Sequence, residues 1–213
     1  MLRQIYENSE VRVYDKPSGL AVQPGAGITT SVIEILKAEL PDEPFLVHRL
    51  DRDTSGVLVV AKNRVAAGKF SRLMMGDGIR KEYVALCPGR FQRPVGIIRD
   101  DILQHGETKK AETRYKVEAE YTDGARIFSF VSLELGTGRM HQIRLHLAGI
   151  GHPILGDDKH GDFKLNRELK KALGLKKLML HARRLTIPTN NVVEAPLPEH
   201  FQNLLAKLQP VRR

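Results

Sequence analysis

Val-His-Arg-Leu-Asp-Arg-Asp-Thr-Ser-Gly-Val-Leu-Val-Val-Ala-Lys, residues Val47 to Lys62, joins a polar loop to an apolar run. A charge-dense loop, His48 to Ser55, runs directly into an apolar, β-prone run, Gly56 to Ala61. Loops held against a rigid strand are a common place for functional side chains. This loop carries two carboxylates, Asp51 and Asp53, among two guanidinium groups, Arg49 and Arg52. Read alone, it is either a solvated turn before a strand or a loop that carries a site.

Working outward, the pattern alternates strands with helices. Residues 4–14 read as two short strands around the turn at Asn8-Ser9, broken by Asp15-Lys16-Pro17-Ser18-Gly19. Thr30 or Ser31 can cap a helix with Glu34 in its first turn, and Pro41 ends it. Asn63 caps a helix over Arg64–Met75, stopped by Gly76-Asp77-Gly78. Arg80–Leu86 reads as a strand. Residues 90–110 read as polar and irregular, with one short strand at Gly96–Ile98. Two alternating runs, 112–121 and 125–135, flank Thr122-Asp123-Gly124 and predict a hairpin. His141–Ile150 reads as a helix with Ile143, Leu147 and Ile150 on one face. Asn166–Leu173 reads as a basic helix, Leu178–Ile187 as a buried strand and Pro196–Leu208 as a last helix. Such a sequence predicts an α+β fold around a mixed, mostly antiparallel sheet.

Composition narrows the chemistry. The 213 residues carry 34 Lys+Arg against 25 Asp+Glu, a net charge of +9 and a pI near 9.7, which favours a polyanionic partner such as nucleic acid. Cys87 is the one cysteine, so neither an intrachain disulfide framework nor a cysteine zinc site can form. No run approaches the ~20 apolar residues of a membrane span, and no charged leader precedes an apolar core. A cytoplasmic location is the expectation. His141 and His146 stand five apart, not in the H-E-x-x-H spacing, and there is no G-x-G-x-x-G or P-loop string. Neither a metal nor a nucleotide cofactor is expected.

Three separated strings then carry a resemblance. They are H-R-L-D-R-D-T-S-G at 48–56, R-K-E-Y at 80–83 and G-T-G-R-M-H-Q-I-R-L-H at 136–146. D-K-P-S-G at 15–19, G-H-P-I-L-G-D-D-K-H-G at 151–161 and L-M-L-H-A at 178–182 support them. In order and spacing they resemble the RluA-type RNA pseudouridine synthases. The resemblance implies a single catalytic domain over residues 1–213, with two subdomains on a mixed, mostly antiparallel central sheet. Its flanking helices and loops would form a basic cleft. It implies no cofactor and no metal. The first expected strand begins almost at Met1, so no N-terminal S4 domain is expected, and RNA docking falls to the catalytic domain. A monomer is expected.

The resemblance also assigns roles. Asp51 is the catalytic aspartate, either attacking covalently or taking the 2′ proton in a glycal route; both need an ionised, positioned carboxylate. Asp53, at a variable position, is a loop or capping group. Arg144 is the cation paired with the catalytic carboxylate. Tyr83 stacks on the target base. Arg49 enters the RNA where the flipped uridine leaves. Lys16, Arg80, Lys81 and Arg139 are candidate phosphate contacts. Met140 replaces a small polar residue of the third motif. The D-D-K-H-G-D-F-K-L-N-R-E-L tract resembles the branch acting on large-subunit ribosomal RNA, with transfer RNA as the second substrate. A non-catalytic RNA-binding or assembly factor on the same fold is the alternative from another class, with a metal-dependent nuclease or phosphatase third.

Overall fold

The computed structural model describes residues 2–76, 78–104, 106–187 and 191–211. In chain order the first elements are β1 (Arg3–Glu7), β2 (Val11–Lys16), α1 (Val32–Glu39), β3 (Phe45–Leu46), β4 (Ser55–Ala61) and α2 (Arg64–Met75). Next come β5 (Arg80–Pro88), β6 (Val95–Ile98), β7 (Ile102–Gln104), β8 (Glu107–Lys109), β9 (Thr113–Thr122) and β10 (Ile127–Leu135). The chain closes with α3 (Gln142–Gly149), α4 (Phe163–Leu173), β11 (Leu180–Thr186), β12 (Val192–Glu194), α5 (Glu199–Leu205) and β13 (Gln209–Pro210). The fold is α+β, with strand pairing that is mostly antiparallel.

These elements make two compact units, Met1–Lys81 with Ala182–Pro196, and Glu82–His181 with Leu197–Arg213. The first unit is built on β4, whose seven residues are all buried. β2 runs antiparallel to it from Val11 opposite Ala61 to Lys16 opposite Gly56. A continuous apolar run, rather than an alternating one, is what a strand covered on both faces requires. α2 packs Ala66, Phe70 and Met74 into the same core as Val13, Val57, Val59 and Leu185. Its start is fixed by Asn63, whose Oδ1 accepts from the Ala66 N–H at 2.9 Å. Glu34 of α1 accepts from both the N–H and the hydroxyl of Ser31, so the expected cap is Ser31.

Gly56, the second residue of β4, holds a conformation reserved for glycine, with φ +111°. A Cβ placed there would lie 2.1 Å from the Ala182 carbonyl oxygen of β11. The glycine that ends the loop is therefore a backbone-packing requirement.

The second unit is a ladder of β5, β10 and β9. The hairpin turn is made by Asp123, whose Oδ1 accepts from the N–H groups of Ala125 and Arg126. Phe128, Val131, Leu86, Ile143, Leu147, Leu169, Phe201 and Leu204 share its core, so α3, α4 and α5 all bury apolar stripes there.

Three expectations need correcting. Residues 90–110 are not irregular around one strand: besides β6, β7 pairs with β8 in a separate two-stranded sheet. Those strands are three residues long and leave Leu103 72% exposed, so no apolar alternation marks them. The helix read from His141 starts at Gln142, because His141 is left-handed, with φ 54°. The last helix spans Glu199–Leu205, not Pro196–Leu208. Asp77 of the expected helix stop lies outside the described residues.

Replacing Gly56 with alanine should cost about 3 kcal/mol, since backbone rather than a side-chain tip blocks the new methyl. A loss of roughly 6–12 °C in Tm by thermal unfolding is the expected readout; an unchanged Tm would contradict this account of the loop end.

Candidate active site

The two compact units each carry part of the constellation. Asp51 belongs to the first, and Tyr83 and Arg144 belong to the second.

In the first unit, Asp51 is half-buried and its carbonyl accepts from the Thr54 N–H at 3.1 Å, closing a turn that ends in buried Thr54 and Ser55. The turn is held from two sides. On one, the Val59 N–H of β4 donates to Nε2 of His48 at 3.0 Å. An accepting Nε2 requires the neutral ring. Burial, with the nearby Lys81 charge, depresses the His48 pKa to about 4 and keeps the ring in that form. On the other side stands Lys16, fully buried, whose Nζ donates to the carbonyl oxygens of Pro17, Leu20 and Arg52 at 2.8–2.9 Å. The Gly19 N–H reaches the same Arg52 oxygen at 2.9 Å. The D-K-P-S-G segment is thus a clamp on the loop that bears Asp51. Burial pulls the Lys16 pKa down to about 7, while the charges of Asp53 and Asp51 push it up. Asp53 faces its neighbour Arg52 at 3.3 Å, in keeping with a loop role.

In the second unit, Arg144 is on α3 with its side chain 3% exposed. Its Nε and Nη2 grip the two oxygens of Asp157 at 2.8 and 2.6 Å, and Nη2 lies 3.3 Å from Asp158. Asp157 is itself set by the N–H groups of Lys159 and His160, both 2.9 Å from its Oδ1. Burial alone would raise the Asp157 pKa, but the guanidinium fork and these N–H groups outweigh it and hold the carboxyl low. The fork fixes the plane of Arg144 through one edge, Nε and Nη2, of a group with five N–H donors. Next to it, Gln142 is buried and ties the G-T-G-R turn to β9. Its oxygen accepts from Thr137 and Arg139, and its amide nitrogen donates to Glu112 and Thr113. His141 shares a 3.0 Å hydrogen bond with His160. Tyr83 is half-buried on β5, opposite Leu133 of β10, and packs against the core of its unit.

The expected phosphate contacts divide. Arg49, Arg80 and Arg139 are exposed. Lys16 and Lys81 are not, and their assignment to RNA is corrected. Lys16 has its ammonium donors on three carbonyls, and Lys81, 8% exposed, donates to the Met74 carbonyl at the end of α2. Both stand in charged strings, and a linear reading shows charge without burial. Asp157 is the residue that reasoning from sequence missed, although the G-D-D-K-H-G string around it was visible.

If Lys16 is a buried clamp, its pKa sets a pH dependence. The unfolded chain holds the lysine proton up to about 10.5 and the folded one only to about 7, so between those values the unfolded state binds more protons. Stability from this site therefore rises with pH across that window. Urea unfolding at pH 7 and pH 9 should show the wild type gaining roughly 2 kcal/mol that Lys16→Met does not gain. Parallel profiles would mean that the three carbonyls keep Lys16 protonated and would contradict the lowered pKa.

Comparison with known proteins agrees with the motifs. A family model described as RNA pseudouridylate synthase matches residues 10–149. The chain is 42% identical over 228 residues to ribosomal large subunit pseudouridine synthase C of Escherichia coli K12, covering 98% of this chain and 70% of that protein. It is 38% identical to the protein of that name in Haemophilus ducreyi, over 96% and 68%. Among solved structures, human RNA pseudouridylate synthase domain containing 4 superposes with a TM-score of 0.83 at 28% identity, over 97% of this chain and 94% of that one. Human RNA pseudouridylate synthase domain containing 1 gives 0.80 at 28%, over 99% and 89%. The fold, the ordered motifs and these similarities agree: the chain belongs to the RNA pseudouridylate synthase family, in its RluA group, and is a pseudouridine synthase.

Proposed function

We propose that the chain isomerises uridines of large-subunit (23S) ribosomal RNA, with Asp51 as the catalytic carboxylate. The observation that carries the reading is the clamped loop. The aspartate of H-R-L-D sits on a turn whose backbone is held by His48 and by the buried Lys16. Preorganisation of that kind is what a carboxylate needs to act on one carbon of a flipped nucleotide. The choice of RNA is supported by the names of the bacterial relatives, which match nearly the whole chain.

The reaction breaks N1–C1′, turns the uracil and joins C5 to C1′; the C5 proton leaves to water and N1 gains one. Atoms and electrons balance with no further reactant. Arg144 is the cation paired with the reacting carboxylate in the working complex, its plane set by Asp157. Tyr83 stacks on the target base, and exposed Arg49 fills the place that the uridine vacates. Arg80 and Arg139 contact phosphates. A cytoplasmic location and a monomeric state belong to the same reading.

Large-subunit ribosomal RNA and transfer RNA, each labelled with tritium at uracil C5 and made without prior modification, separate the alternatives. The expected result is release from the ribosomal fraction alone. Release only from transfer RNA would move the substrate to that class. No release from either, with tight RNA binding retained, would favour a non-catalytic binder.

A further inference from the structure

Beside the Arg144–Asp157 pair, and wholly within the second unit, lies an open cavity of about 560 Å³. That falls in the size range of small-molecule sites. One wall is α4, where Phe163, Arg167 and Lys170 recur at intervals of four and three and so share a face. Lys176 closes the rim and Leu175 lines the cavity, while Asp157 belongs to the opposite wall. Asn166 pins that wall to the helix: its Oδ1 accepts from the Gly156 N–H at 2.9 Å and its Nδ2 donates to the Asp157 carbonyl at 3.0 Å.

Two features bear on what this cavity would hold. Phe163 leaves 52% of its surface in water at the mouth, although Leu165 and Leu169 of the same helix pack into the core. Its three cations, Arg167, Lys170 and Lys176, line it and make no ion pair with any described residue, as is true of several other surface cations of the chain. The acids on the lining are Asp157, held in the Arg144 fork, and Asp158, 3.3 Å from the same guanidinium.

We propose that this cavity is a second nucleotide-binding subsite. It would take one unpaired nucleotide of the substrate RNA, apart from the uridine that reacts, with the base on Phe163 and flanking phosphates on Arg167, Lys170 and Lys176. An exposed ring among unpaired cations is the pairing that single-stranded nucleic acid calls for, since every base has a flat face and every link a charge. The subsite rests on the proposed action on RNA and extends it. Because Asp157 both lines the cavity and grips Arg144, a nucleotide here would anchor the RNA one residue away from the proposed catalytic arginine. The substrate is then one with an unpaired nucleotide near its target, not a continuous duplex.

The test uses the full chain and a fragment of large-subunit ribosomal RNA, with affinity and kinetics read separately. Combined Arg167→Ala, Lys170→Ala and Lys176→Ala should raise Kd about 10- to 100-fold at 0.1 M salt. The slope of log affinity against log salt should become shallower by about 2. Phe163→Ala should raise Kd about tenfold with the slope unchanged, and Phe163→Tyr should restore it. In every variant kcat stays within about threefold of wild type while KM follows Kd. Unchanged Kd in both sets overturns the subsite. So does a charge effect with Phe163 indifferent, which would leave only diffuse attraction to RNA, and so does a fall in kcat alone, which would make this face a support for the Asp157 loop. Absence of tritium release by the wild type would instead sink the assigned reaction, while these binding measurements would still read the subsite.

Discussion

A cation taken out of water must have its donors satisfied, and each part of the proposed site is built around one. In the first unit it is Lys16, fully buried, with Nζ on three backbone carbonyls. In the second it is Arg144, gripped along one edge by an Asp157 that is itself held by two N–H groups. A buried charge without its partners costs several kcal/mol, so these contacts make the surrounding loops nearly obligatory once the cation is in place. Lys16 forces the D-K-P-S-G bend and the H-R-L-D loop together. Arg144 forces the G-D-D-K-H-G loop against α3. The remainder of each unit supplies what the cations cannot: β4 a buried strand to stand the loop on, and the β5–β10–β9 ladder a surface on which α3 and α4 dock.

This arrangement suits the chemistry. A uridine isomerisation requires no external reactant but does require one sugar carbon and one base to be held while a bond is exchanged. Catalysis then rests on positioning and on charge in a preorganised setting. Lysines spent on backbone carbonyls and an arginine locked by a carboxylate are costly in folding terms and pay in geometry. Arg49, Arg80 and Arg139 are exposed, on surface that the proposed RNA would meet.

Much of this was legible in the sequence because much of it is local. The Asn63 cap, the Ser31–Glu34 pair and the Asp123 turn are written in neighbouring residues, and each appears where the pattern puts it. The apolar, β-prone run Gly56 to Ala61 is a strand as read, and its burial along the whole of β4 is what the structure adds. What escaped is tertiary. Lys16 and Arg80 look alike in a string, yet one is buried and the other exposed. Asp157 lies 13 residues beyond Arg144, and nothing in the spacing says that a loop will fold back onto the helix. The β7–β8 pair is too short and too exposed to leave a periodic trace. The three motifs fixed Asp51, Tyr83 and Arg144 as candidates, whereas their supports had to be seen in three dimensions.

The central claim is that Asp51 performs the reaction and does not merely shape the loop. Asp51→Asn keeps the side chain's size and its backbone turn while removing the ionisable oxygen. The direct measurement is single-turnover tritium release from C5-labelled large-subunit ribosomal RNA, with RNA affinity measured on the same preparation. The account predicts release reduced by at least about a thousandfold, with Kd within about threefold of wild type. Release at the wild-type rate would contradict it and take Asp51 out of the chemistry.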